Sequence, residues 1–121
     1  MNLKEFFEEN GTHLLEPLGS DQWALDKEKA LELIHLLAKH HVGVLGGDIL
    51  KYTGDEIDFI GEGWYYERGE DEKQDEFASR SFIKSREKIE SYSGLTDFEL
   101  YRYTICPSLL PHEYYKLEFY K

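Results

Sequence analysis

A single cysteine, Cys106, stands among 121 residues, so no internal disulfide can form. No Cys/His spacing of a zinc site occurs either, and neither a metal nor a cofactor is expected. A reducing compartment fits this usage. No stretch approaches 18 apolar residues, and the start, Met1-Asn2-Leu3-Lys4-Glu5-Phe6-Phe7-Glu8-Glu9, lacks the apolar run and cleavage site of a secretory signal. A soluble cytoplasmic protein without membrane contact is expected. Basic side chains are scarce, 14 Lys and Arg against 25 Asp and Glu, which leaves a net charge of −11. Such a surface repels phosphate backbones and attracts basic partners, which disfavours nucleic-acid binding. Nucleophile elbow, P-loop and dinucleotide fingerprint are all missing: Gly61-Glu62-Gly63-Trp64 has neither the third glycine nor a following helix.

What is present suffices for a core. With 40% apolar and 15% aromatic residues, a chain of this length can bury about two-thirds of its unfolded surface. Residues 1–121 therefore read as one domain, with no repeat and no linker.

Helical spacing of Leu3, Phe6 and Phe7 predicts a short helix over 3–9, ended by Asn10 and Gly11. Turn residues from Glu16 to Asp21 predict a loop that becomes buried at Trp23. The strongest helix runs from the N-cap Asp26 to about His41, with Ala30, Leu33, Ile34, Leu37, Ala38 and His41 on the core stripe. Val42 to Leu45 predicts a buried strand, interrupted at Gly46-Gly47-Asp48 by a bulge, a positive-φ residue or a close backbone approach. The strand resumes at Ile49, turns at Thr53-Gly54-Asp55, and is followed by one or two strands through Ile57 and Trp64, broken near Gly61 and Gly63.

From Gly69 an acidic run gives way to Arg80, Lys84, Arg86 and Lys88, a gradient that complements a helix dipole. Ala78, Phe82, Ser85, Ile89 and Tyr92 form the expected stripe of a second long helix, and Gly94 stands where a left-handed cap would. Alternation predicts a strand over 98–105 ended by Cys106-Pro107, and, after Pro111, a closing strand over 115–120 antiparallel to it. The expected fold is α+β: two main helices packed on one face of a mainly antiparallel sheet of about four to six strands.

Histidines offer no catalytic or metal constellation. His35, His40 and His41 point about 140°, 280° and 20° around the helix relative to Ala30, so no two form a ligand pair; His13 and His112 lie in loops. Cys106 reads as a buried structural thiol, with no neighbour beyond Arg102 to activate it. The acidic run over 70–76 reads as a solvated helix start. In Trp64-Tyr65-Tyr66, alternation puts Trp64 and Tyr66 on one face and Tyr65 on the other, so at least one aromatic lies near solvent, among acids, as protein-binding anchors do.

Trp23-Ala24-Leu25, the Lys/Glu-rich helix, Val44-Leu45-Gly46-Gly47-Asp48-Ile49, Gly63-Trp64-Tyr65, the acidic stretch and Ser85-Arg86-Glu87 together resemble the immunity protein 40 family of bacterial polymorphic toxin systems over most of the chain. The resemblance implies a non-enzymatic inhibitor, made beside its toxin, that binds the toxin domain and blocks its active site or substrate path. A basic toxin surface would complement the negative charge. Gly46 and Gly47 are then expected to shape the backbone, while Asp48 either caps the bend or faces the partner. Either Trp64 and Tyr66 pack on the sheet while Tyr65 contacts the toxin, or the reverse. A monomer or weak homodimer is expected. Two alternatives stand beside this: a small enzyme or ligand-binding domain with a pocket near Asp48, Trp64 and Tyr66, and an acidic adaptor or nucleic-acid mimic using the carboxylates of 55–76.

Overall fold

Asn2 starts the first helix by a reciprocal cap: its Oδ1 accepts from the Glu5 amide at 2.9 Å, and Glu5 Oε1 accepts from the Asn2 amide at 3.3 Å. The resulting α1, Leu3–Asn10, buries Leu3, Phe6 and Phe7. In the computed structural model the described residues are 1–54, 56–92, 100–109, 113 and 116–119. The sequence features at Asp55, Gly94, Phe98, Pro111, His112, Tyr115 and Tyr120 lie outside them.

Thr12–His13 (β1) and Trp23–Ala24 (β2) pair antiparallel. Between them the expected loop contains a single helical turn, α2, Leu15–Leu18, closed by Gly19 at φ 69°. Leu14 and Leu18, four residues apart, hold that turn against Ala24, Leu50 and Ile57; one turn is too short to show a period in the sequence.

Asp26 accepts from the Lys29 amide at 2.8 Å and starts α3, Lys27–Lys39. Its buried residues are Ala30, Leu33, Ile34, Leu36 and Leu37. His41 departs from the expected stripe. It sits past the helix end at φ 60°, a left-handed conformation that turns the chain, and is exposed beside Asp75 at 3.2 Å.

Val44–Tyr52 forms one continuous strand, β3, without a break at the glycines, and pairs antiparallel with β4, Ile57–Tyr65. β4 is also unbroken. Its register shifts between the pairs Ile49–Glu62 and Leu50–Phe59, leaving Ile60 and Gly61 as a bulge with Gly61 at φ 76°.

The second long helix is α4, Gln74–Glu90. Ala78, Ser85 and Ile89 are buried as expected, whereas Phe82 and Tyr92 are half-buried and the face is completed by Phe77 and Ser81. Ser81 hides in an apolar setting because Oγ accepts from the Val44 amide at 2.9 Å and donates to the Ala78 carbonyl.

Leu100–Tyr103 (β5) and Cys106–Pro107 (β6) both pair antiparallel with the far side of β3, so Cys106-Pro107 continues the sheet instead of ending it. Thr104 bridges the two: its amide donates to the Asp48 carbonyl at 2.9 Å and its Oγ1 accepts from the Asp48 amide at 2.8 Å. The sheet order is β4-β3-β5, with β6 also on β3. Near the C-terminus, Glu118 bridges Asn2 and the Phe119 amide donates to the Met1 carbonyl, so the described part of the expected closing strand meets the N-terminus, not its predecessor.

The architecture is α+β, with α3 and α4 against one face of a sheet that, among the described residues, has four strands paired antiparallel. Ile49, Tyr103 and the α3 stripe make the main core on that side. Leu50 points the other way, under Leu14 and Ala24. Among the described residues no helix is long and apolar enough to cross a membrane.

Candidate functional site

The register of the β3–β4 hairpin distributes the motif residues between the two faces. Gly47 opposes Trp64, Asp48 opposes Gly63, and Gly46 opposes Tyr65. Because strand side chains alternate, Trp64 shares the helix-covered face with Ile49, and Tyr65 shares the opposite face with Asp48 and Leu50. Trp64 is half-buried, and its Nε1 donates to Oγ of the fully buried Ser85 on α4 at 3.0 Å. Tyr65 is 66% exposed, and its hydroxyl donates to Glu67 Oε1 at 3.4 Å. Tyr66, just past the strand, is half-buried and donates its amide to the Leu45 carbonyl.

The two glycines are needed by close approach. A Cβ on Gly47 would collide with the Thr104 carbonyl oxygen and lie 2.8 Å from the Trp64 ring. One on Gly46 would collide with the Trp64 carbonyl oxygen. Close backbone approach is realised at both glycines, Gly46 also has a positive φ of 159°, and the pairing with β6 shifts register between Val44 and Gly46.

Gly46 and Gly47 line an open depression of about 290 Å³, together with Gln22, Leu45, Asp48, Trp64, Tyr65 and Cys106. Asp48 is half-buried there. Its Oδ2 accepts from Gln22 Nε2 at 3.4 Å, and Ser20 Oγ donates to Gln22 Oε1 at 2.9 Å, which aims the Gln22 amide group at Asp48. Among the described residues Asp48 makes no ion pair. Gln22 carried no sequence signal for this contact, since it reaches Asp48 across 26 residues.

The acidic run over 70–76 is not uniformly solvated. Glu72 is gripped by Arg80, whose Nε and Nη2 donate to its two carboxylate oxygens at 2.8 and 2.9 Å while Nη2 also donates to the Glu67 carbonyl at 2.6 Å. These bonds, with one from the Gly69 amide, pull the Glu72 carboxyl down to about 2. The pair ties the segment after β4 to α4, behind Tyr65-Tyr66.

Other chemistry-bearing side chains are engaged locally. His13 stacks on Trp23 at 4.3 Å and pairs with Asp21 at 2.7 Å; His35 lies edge-on to Phe82; His40 lies against Phe119. Cys106 is half-buried at the edge of the depression, more accessible than its reading as a buried thiol. Among the described residues no three His, Cys, Asp or Glu side chains are grouped to hold a metal.

The sequence model described as Immunity protein 40 matches residues 14–106, which spans β2, α3, the β3–β4 hairpin, α4 and β5. No curated protein and no solved structure matches the chain.

Proposed function

The chain belongs to the immunity protein 40 family, and from that premise we propose that it binds a cognate bacterial toxin domain tightly and neutralises it without chemistry of its own. The observation that carries this reading is the family match, which covers the whole Asp48–Tyr65 region. Charge supports it: a body of net charge −11 steers toward a basic toxin surface with a fast, salt-sensitive on-rate. In this reading residues 1–121 act as one unit in the cytoplasm, as a monomer or weak homodimer.

The contact surface is the helix-free face around Asp48 and Tyr65. An exposed tyrosine is a rigid, amphipathic anchor that loses little side-chain entropy on binding. Trp64 and Tyr66 hold the hairpin from the helix side, and Gly46 and Gly47 keep its backbone close to neighbouring strands.

Co-expression with the toxin domain encoded beside its gene tests the proposal. Growth rescue with a stable complex on gel filtration is expected; toxicity that persists while the folded protein accumulates would refute it. The depression at Asp48 favours one second reading, a small-ligand site, although about 290 Å³ is at the low end for such pockets. That reading requires a metabolite retained in the purified protein, visible by native mass spectrometry.

A further inference from the structure

A carboxylate that is half out of water is stabilised by a cation or by several hydrogen bonds. Asp48 has neither in full. Its one side-chain hydrogen bond among the described residues is the long contact from Gln22 at 3.4 Å, so most of its acceptor capacity stays open. Two further features surround that opening. Gly46 and Gly47 line its floor and place no side chain there. One wall is Tyr65, largely exposed, with Glu67 placing a second negative charge at its hydroxyl.

We propose that this depression seats one arginine side chain of the toxin domain, its guanidinium forked against Asp48 and its flat face laid on Tyr65. The proposal rests on the immunity reading above and adds the chemistry of the partner's central group. Guanidinium fits each element better than ammonium does. It is planar and matches a carboxylate through two parallel N–H groups, stacks on an aromatic face, and gives up its hydration more readily than lysine. A charge pair closed off by the interface is also where a single residue carries much of the affinity.

A double-mutant cycle on the wild-type complex tests this. Asp48→Asn keeps the shape and the Gln22 contact, and is expected to weaken toxin binding by about 30-fold or more with the melting temperature unchanged. Tyr65→Leu, at an exposed position, is expected to weaken it by about tenfold. Each interfacial arginine of the toxin is then replaced by glutamine and by lysine. One arginine is expected to couple to Asp48: its glutamine variant loses little further in the Asp48→Asn background, and its lysine variant recovers only part of the affinity. If the wild-type complex forms but no arginine couples to Asp48, or lysine substitutes fully, the arginine seat is refuted and the immunity reading survives. If the wild-type protein binds no toxin domain, the immunity reading itself fails.

Discussion

The indole of Trp64 reaches across from β4 to α4 and donates a 3.0 Å hydrogen bond to the hydroxyl of Ser85, a fully buried serine on the helix's inner face. That one contact fixes which side of the hairpin faces the helices. It thereby also fixes that Tyr65, the next residue, faces away. Ser85→Ala strands a half-buried indole N–H and is expected to cost about 1–2 kcal/mol in urea unfolding, with toxin affinity unchanged. A variant that loses affinity at full stability would show instead that Trp64 is itself a contact.

Glycines differ by what a side chain would strike. Gly47→Ala drives a methyl into the Thr104 carbonyl and the Trp64 ring, and is expected to destabilise by at least about 3 kcal/mol. Gly69→Ala meets nothing nearer than 3.6 Å and is expected to stay within about 0.5 kcal/mol. Equal unfolding midpoints for the two variants would refute the close-approach account.

Acid stability is linked to Glu72. Its carboxyl titrates near 2 in the fold, against an ordinary 4.5, because Arg80 and the Gly69 amide favour the charged form. The stabilisation is complete above about 4.5 and is lost as pH falls from there toward 2. Glu72→Gln should therefore lower the melting temperature at neutral pH, by an amount that shrinks with added salt and vanishes at the acid end. A constant gap across that range would contradict the pairing.

Alkali acts through Tyr103. Burial pushes its hydroxyl up to about 12, against an ordinary 10, because the charged phenolate would lose its water. Stability is unaffected below pH 10 and falls as pH rises from 10 toward 12, where the unfolded chain releases a proton the folded one retains. Tyr103→Phe should flatten that alkaline loss. Ultraviolet titration should show a late-ionising tyrosine component that Tyr103→Phe removes, and no loss of that component in the variant would refute the assignment.

By itself the sequence determined whatever depends on local period and local chemistry. Leu3, Phe6 and Phe7 announced α1, Asp26 announced α3, and alternation at Trp64-Tyr65-Tyr66 announced that neighbouring aromatics part company. The same motif residues carried the family resemblance. Only the tertiary structure decided what long-range pairing creates. It ran β3 straight through Gly46 and Gly47, because Thr104 and Trp64 approach so closely that glycine is the residue that fits. It turned His41 out of the helical stripe into a left-handed stop. It chose Phe77 and Ser81 for the inner face of α4, where a serine is tolerated because a strand amide 37 residues away arrives to bond it. Among the described residues it left the Asp48 carboxylate with Gln22 as its one side-chain hydrogen-bond donor. Side-chain periods are written within a few residues, whereas hydrogen-bond partners and close approaches join residues dozens apart, and no local pattern encodes which of them will meet.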